Sequence, residues 1–159
     1  MSLSKKACAG IIALVALAAA QLVRFPRTNP SIDPARTIEA RTQSAPQVAG
    51  ILGRACTDCH THKTRWPWYS NIAPVSWLVV HDVAEGREVL NLSEWAAFSP
   101  GKADGKLNAI CQEVSEGDMP PWYYKPLHPA AKLSAEDQQA VCAWTQAERQ
   151  RIKSIQQAP

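Results

Sequence analysis

The chain has 159 residues, with 17 Lys and Arg against 14 Asp and Glu and a formal charge of +3, which excludes a multidomain enzyme and leaves room for one modest domain. Hydrophobic residues make up 46% and charged residues 19%, so this is no disordered tail, and 12 prolines with 6 tryptophans supply stiff loops and flat apolar walls. Lys5 and Lys6 precede the first apolar run, and without them 15 bases face 14 acids, which excludes nucleic-acid binding through bulk charge.

Behind that basic flank an uncharged stretch of 17 residues runs from Ala7 to Val23 and is closed by Arg24. The pattern is that of an export signal or a membrane anchor. Its length is at the short end of what spans a bilayer core, and Ala18-Ala19-Ala20 before Gln21 offers a small-residue cleavage site, so on the residues alone both remain open. In a bacterium each of them delivers the body of the protein to the periplasm. Cys8 has no lipoprotein context and reads as a small apolar residue within the segment.

The chain divides into a signal or anchor segment (1–23), an extended linker (24–45), a globular domain (46–150) and a tail (151–159). The linker assignment rests on four prolines and the lack of a sustained apolar period between Arg24 and Pro46. In the domain, Val48, Ile51, Leu52 and Ala55 predict a helix behind Pro46 running to about Cys59. Leu78, Val79, Val83 and Leu90 predict a second over Ser76 to Leu90. Leu107, Ile110, Cys111 and Val114 predict a third over about Lys102 to Glu116, stopped by Gly117. A fourth starts at Ser134, with Asp137 three residues on as a shortened capping box, and places Val141 and Trp144 on one side. No alternating pattern is long enough for a sheet, so the fold class is all-α with long proline-rich, aromatic loops.

The residues that carry chemistry are Cys56-Thr57-Asp58-Cys59-His60, a Cys-x-x-Cys-His run, which in an exported chain is the attachment signature of a c-type haem. Two cysteines three apart near a helix end present their sulfurs on one side, where both reach the vinyl-derived carbons of one haem edge, and the adjacent His60 comes to the iron from that face. A thioredoxin-like redox pair would need a βαβ unit, which the pattern lacks. A zinc site through Cys56, Cys59 and His62 would need a fourth ligand, and Cys111 and Cys142 do not form a second knuckle. A Cys56–Cys59 disulfide would leave His60 unexplained.

A haem iron held by His60 has a second axial position. Met119, the one methionine after Met1, stands in Gly117-Asp-Met-Pro-Pro-Trp122, where a residue before proline is driven out of the α region and the loop is stiff enough to aim a sulfur. His81 and His128 are the alternatives, giving bis-histidine ligation, whereas His62 is too close to His60 to reach the opposite face. His/Met ligation raises the reduction potential and closes both axial sites, which suits electron transfer. Nine of eleven aromatics lie between Trp66 and Tyr124. Trp66, Trp68, Tyr69 and Trp122 are expected as pocket walls, and Arg65 with Lys63 as partners of the haem propionates. A carbonyl near Ala73-Pro74 is the expected acceptor for the His60 Nδ1–H. Cys111 and Cys142 are left over, as a disulfide or as two buried thiols.

The stretches Ala55-Cys-Thr-Asp-Cys-His60, Thr64-Arg-Trp-Pro-Trp-Tyr-Ser-Asn-Ile-Ala-Pro-Val-Ser-Trp77, His81-Asp-Val-Ala-Glu-Gly-Arg87, Asn91-Leu-Ser-Glu-Trp95, Gly117-Asp-Met-Pro-Pro-Trp-Tyr-Tyr124 and His128-Pro-Ala-Ala-Lys-Leu-Ser134 resemble the bacterial haem-binding domain family that carries a single CXXCH. The junction from Gln21 to Pro30 is similar as well. The resemblance covers nearly the whole chain after Gln21. It implies a small cytochrome c-like helical domain behind an uncleaved N-terminal anchor, with one covalent haem c, and Met119 matches the Met-Pro found at the sixth ligand of cytochromes c generally. Cys111 and Cys142 are not part of that pattern.

Together these features point to a monohaem c-type cytochrome that passes single electrons to a redox partner protein from the periplasmic face of the bacterial inner membrane, or from the soluble periplasm if the signal is cleaved. It is a carrier without substrate chemistry, with Cys56 and Cys59 as anchors and His60 and Met119 as iron ligands. The alternative is a haem sensor or a small peroxidase-like enzyme with a displaceable sixth ligand, for which His81 and Glu85 are the acid–base pair.

Overall fold

The computed structural model describes residues 4–157, so the first three residues of the N-terminal segment and the last two of the expected tail lie outside it. Among the described residues every element is helical, in keeping with the expected all-α class. Helix α1 (Lys5–Ala20) starts at Ser4, whose hydroxyl accepts the Ala7 N–H at 3.2 Å, and none of its residues is buried. At 16 residues it is about 24 Å long. Among the described residues no helix is long and apolar enough to cross a membrane.

The segment expected as an extended linker is extended over much of its length and lies along the domain as a strap. It is extended over 23–33, turns at Pro34–Arg36 and forms the single-turn helix α2 (Ile38–Arg41). The Arg27 guanidinium donates to the Ser70 carbonyl (3.2 Å) and hydroxyl (3.1 Å), Asn29 Nδ2 donates to Thr64 O (2.9 Å), and Arg36 pairs with Glu94 (2.8 Å). Ile38 is fully buried in the main core. Proline keeps the backbone extended, while Arg27 and Asn29 between the prolines, though exposed, reach the Ser70 and Thr64 carbonyls.

Helix α3 (Pro46–Ala55) has proline at its first position, where no donor is lost, and buries Val48, Ile51 and Leu52 on one stripe. The helix expected to reach Cys59 departs from helical geometry at Cys56 (φ −120°) and resumes as α4 (Thr57–His60). The chain stays joined across this kink, since the Cys56 N–H reaches Leu52 O (2.9 Å) and Cys56 O accepts from His60 N–H (3.0 Å). Next come α5 (Val75–Val89), a 3₁₀ segment (Leu92–Ala97) and α6 (Pro100–Glu116), which the Ser99 hydroxyl caps and Gly117 ends at φ 80°, a left-handed turn that favours glycine.

Helix α7 (Ala135–Gln157) opens with the expected capping box: the Asp137 N–H donates to Ser134 Oγ (3.2 Å) and the Ser134 N–H to Asp137 Oδ2 (3.0 Å). It continues through most of the expected tail, because Ile152 packs on the core and the Arg151 guanidinium donates to Arg41 O at 2.7 Å. Helices α6 and α7 form the most extensive pair in the fold, interleaving Leu107, Ile110 and Val114 with Val141 and Trp144. Full burial of each such side chain stabilises by about 1.5–3 kcal/mol. The Cys111–Cys142 disulfide joins these two helices, which decides between the bond and the free thiols. Arg54 at the end of α3 pairs with Asp137 (2.5 Å), tying α3 to the start of α7.

Cross-linking positions 31 residues apart restricts the unfolded chain, so Cys142→Ser is expected to lower unfolding free energy by about 3–4 kcal/mol in guanidinium titrations. The Ser134 amide and the Arg54 guanidinium hold the Asp137 carboxyl below its ordinary range. A depressed carboxyl stabilises the fold above the usual carboxylate pKa and loses that contribution as pH falls through the folded value. Asp137→Ala should therefore cost about 1 kcal/mol at neutral pH, with the gap to the parent closing in acid, as urea denaturation across pH would show.

Candidate functional site

Helix α4 delivers the Cys-x-x-Cys-His run against α5, and the contact between them sets the site. His60 Nδ1 faces two carbonyl oxygens, Gly86 O at 2.9 Å and Leu90 O at 3.0 Å. Both are acceptors, so Nδ1 carries the proton and Nε2 keeps its lone pair. Nε2 has no hydrogen-bond partner among the described residues. Burial lowers the His60 pKa while the two carbonyls oppose it, and the net effect favours the neutral ring, which is the form that ligates a metal. The expected acceptor near Pro74 is corrected here: Ala73 O accepts instead from Gln21 Nε2 (3.1 Å), and Pro74 is the exposed residue that precedes α5. The Gly86 carbonyl lies in the last turn of α5, where it also accepts the Leu90 N–H at 2.9 Å, and Leu90 is the residue that follows that helix.

Gly86 permits this approach. A Cβ built on it would stand 3.0 Å from Cys59 O and 3.2 Å from Cys59 Cβ, so only glycine lets α5 lie flat against the motif. Cys56 and Cys59 are both free thiols. Burial, reinforced by Cys59, pushes the Cys56 thiol up to about 12, and burial with nearby Asp82 pushes Cys59 up to about 11. Thiols held neutral in this way differ from the low-pKa thiolate of a redox-active pair. His62 is committed elsewhere, its Nδ1 to Ser31 O (3.3 Å) and its Nε2 to Asn91 Nδ2 (2.9 Å). Among the described residues no cluster of three or more His, Cys, Asp or Glu gathers that could hold a metal ion, so a zinc site finds no donor set.

Beside Cys59 lies a narrow cavity of about 30 Å³, walled by Asp58, Tyr69, Val83, Tyr124 and His128. The Tyr69 hydroxyl donates to His128 Nε2 at 2.5 Å, the His128 ring stacks on Tyr124 at 3.9 Å, and the Tyr124 hydroxyl donates to Asp58 Oδ2 at 3.1 Å. Burial lowers the His128 pKa and raises both tyrosines, with Asp58 adding to the rise at Tyr124, so all three rings stay neutral near pH 7. Asp58, the third residue of the motif, has no chemistry of its own in a Cys-x-x-Cys-His reading, and its part in this network leaves no sequence signal.

The other expected site residues are spread around this centre. Arg65, expected on a propionate, pairs in a two-point contact with Asp58 (3.1 and 3.0 Å). Lys63 is exposed and Trp66 half-buried. Trp68 and Trp122, expected as pocket walls, stand 71% and 78% exposed, because Tyr69, Tyr124 and His128 fill the space next to Cys59. Met119 follows the end of α6 with its N–H on Glu113 O (3.1 Å); it is 38% exposed and does not line that cavity. His81, expected as an alternative ligand or acid–base residue, pairs with Glu85 on α5, both more than 60% exposed (69% and 63%), and neither lines the cavity. Arg87, a residue with no sequence signal beyond its charge, donates to Thr61 O, Thr28 O, Asn29 Oδ1 and Thr64 Oγ1, each at 2.8 Å, and so fastens the strap to the loop behind His60.

The donor set suits a haem: two neutral thiols at the attachment spacing and an imidazole whose Nδ1 proton is anchored and whose Nε2 is open. The cavity is smaller than a porphyrin, so a ring seated beside Cys59 takes the volume that Tyr124 and His128 now fill. The description "haem-binding domain" belongs to the family model that matches residues 15–147. The chain is also 32% identical over 107 residues to the cytochrome c peroxidase Ccp of Escherichia coli (strain K12), an alignment that covers 65% of this chain and 23% of that protein. No solved structure matches the chain. With an imidazole held in the ligating tautomer next to two neutral thiols, and a family match over most of its length, the chain belongs to the haem-binding domain family and is a haem-binding protein.

Proposed function

We propose that the chain is a monohaem c-type cytochrome, tethered to the periplasmic face of a bacterial inner membrane, that passes single electrons to a redox partner protein. The observation that carries this is the forked bond of His60 Nδ1 to Gly86 O and Leu90 O, which aims Nε2 outward beside the two thiols. Cys56 and Cys59 hold the haem through thioethers and His60 is the proximal ligand. Bound in this way, a haem supplies one-electron chemistry at its iron. Met119 is the sixth ligand, carried by the loop between Gly117 and the two prolines, and it reaches the iron when that loop opens to admit the porphyrin. Trp68 and Trp122 offer exposed flat area of the kind a porphyrin edge covers. The residues of this chain do three things: they anchor, they fix the proximal ring, and they screen the iron from water.

A second function is favoured by the likeness to the cytochrome c peroxidase: a haem whose sixth position opens to peroxide or a gas. The surface pair His81 and Glu85 does not serve it. His128 is the titratable ring beside Cys59 and is the residue such chemistry would use.

Optical spectra separate the two. The oxidised protein is expected to show the weak long-wavelength band of a sulfur–iron bond and to resist carbon monoxide when reduced. Met119→Ala abolishes the band and opens the iron to carbon monoxide; rapid binding by the parent protein would instead support the peroxidase-like function. A polypeptide mass lacking one covalently added haem after coexpression with cytochrome maturation machinery rejects the c-type assignment. Gly86→Ala forces α5 off Cys59 and is expected to cost about 1–3 kcal/mol and to lower the yield of haem-loaded protein, read from the ratio of Soret to protein absorbance.

A further inference from the structure

Gln21, the first residue after α1, fastens the apolar N-terminal helix to the body through both ends of its side-chain amide. Its Nε2 donates to Ala73 O (3.1 Å) and to Leu17 O (3.0 Å), and its Oε1 accepts the Ala73 N–H (3.0 Å). Two residues on, Val23 O accepts the indole N–H of Trp77 at 2.9 Å. Arg27 then fixes the chain to Ser70. The last turn of α1 therefore meets the start of α5 with no slack between them.

The surface around these ties is apolar. Leu22, Val23 and Phe25 are exposed, and so are Ile72, Val75 and Leu78, which flank Ala73 and Trp77. A contiguous exposed apolar patch on a soluble body marks a contact surface. Its continuity with α1, which is itself exposed along its length and uncharged from Ala7, says what that contact is. The uncharged part of α1, Ala7 to Ala20, extends about 21 Å, against roughly 30 Å of bilayer hydrocarbon. A span that is too short thins the bilayer or draws its flanking residues into the interface. Lys5 and Lys6 flank one end, and the patch flanks the other with Trp77, a residue type suited to the interface, and with Arg24 suited to lipid phosphates.

The geometry points to a second membrane contact: Leu22, Val23, Phe25, Ile72, Val75 and Leu78 form a surface that rests in the bilayer interface, so the domain lies on the membrane in one orientation instead of swinging on a tether. This rests on α1 being retained as a membrane segment. From Val75 at the lipid surface to Gly86 behind the Cys-x-x-Cys-His run is about 16 Å along α5, which sets the standoff of the haem site.

The test is lipid photo-crosslinking of the full-length protein in vesicles of phosphatidylcholine and phosphatidylglycerol with a photoactivatable acyl chain, mapped by peptide mass spectrometry. Adducts are expected on α1 and also within residues 22–25 and 72–78. Inserting six Gly and Ser residues between Ala20 and Gln21, ahead of the ties to Ala73 and Trp77, should reduce the 72–78 adducts several-fold while α1 stays labelled, and Ile72→Asp with Val75→Asp should do the same without altering the linker. Adducts confined to α1, or 72–78 adducts unchanged in both variants, overturn the docking surface and leave the membrane segment standing. An unlabelled α1, or a mature chain that begins at Gln21, overturns both. The readout needs no haem, so it is independent of the optical tests above.

Discussion

The forked hydrogen bond from His60 to the Gly86 and Leu90 carbonyls is the constraint on which the rest of the structure depends. It chooses the tautomer, leaves the second ring nitrogen without a hydrogen-bond partner among the described residues, and uses the Gly86 carbonyl, which also accepts the Leu90 N–H, together with the carbonyl of the residue that follows α5. It also needs α5 to lie hard against the motif, and that is why residue 86 is glycine. The kink at Cys56 separates α3 from α4, the short helix that carries Cys59 and His60.

Around this fixed point the protein uses two kinds of support. The apolar core of α3, α6 and α7, pinned by the Cys111–Cys142 bond, holds the N-terminal side of the motif through Val48, Ile51 and Leu52. On the other side the support is polar. Asp58 binds both Arg65 and Tyr124, and Tyr124 stacks on the His128 that Tyr69 holds. An apolar core resists displacement strongly, whereas rings joined by a few hydrogen bonds at a partly exposed loop separate at lower cost. The surroundings of His60 thus have a firm apolar side and a more yielding polar side.

Much of this was legible in the residues. Helical spacing placed α3, α5, α6 and α7 to within a few positions, Ser134 and Asp137 announced the start of α7, and the Cys-x-x-Cys-His run with the family resemblance pointed to haem. Backbone chemistry was not legible: an acceptor carbonyl has no side-chain signature, so Gly86 and Leu90 could not be singled out and Pro74 was expected in their place. Segment 24–45 was legible in part for a related reason. Its prolines indicate an extended backbone but do not indicate what its Arg, Asn and Ile side chains will meet. The exposed pair His81 and Glu85 shows the limit of periodicity in α5, where apolar residues appear on more than one face.

The Arg87 guanidinium gives the N-terminal strap a further role. Four of its contacts bridge Thr28 and Asn29 on the strap to Thr61 and Thr64, in the loop that leaves His60. A planar fork of donors distributes strain over several bonds, as a single ammonium does not. Tension arriving along the strap therefore runs through a short mechanical linkage into the backbone one residue past His60, beside the ring that would grip an iron.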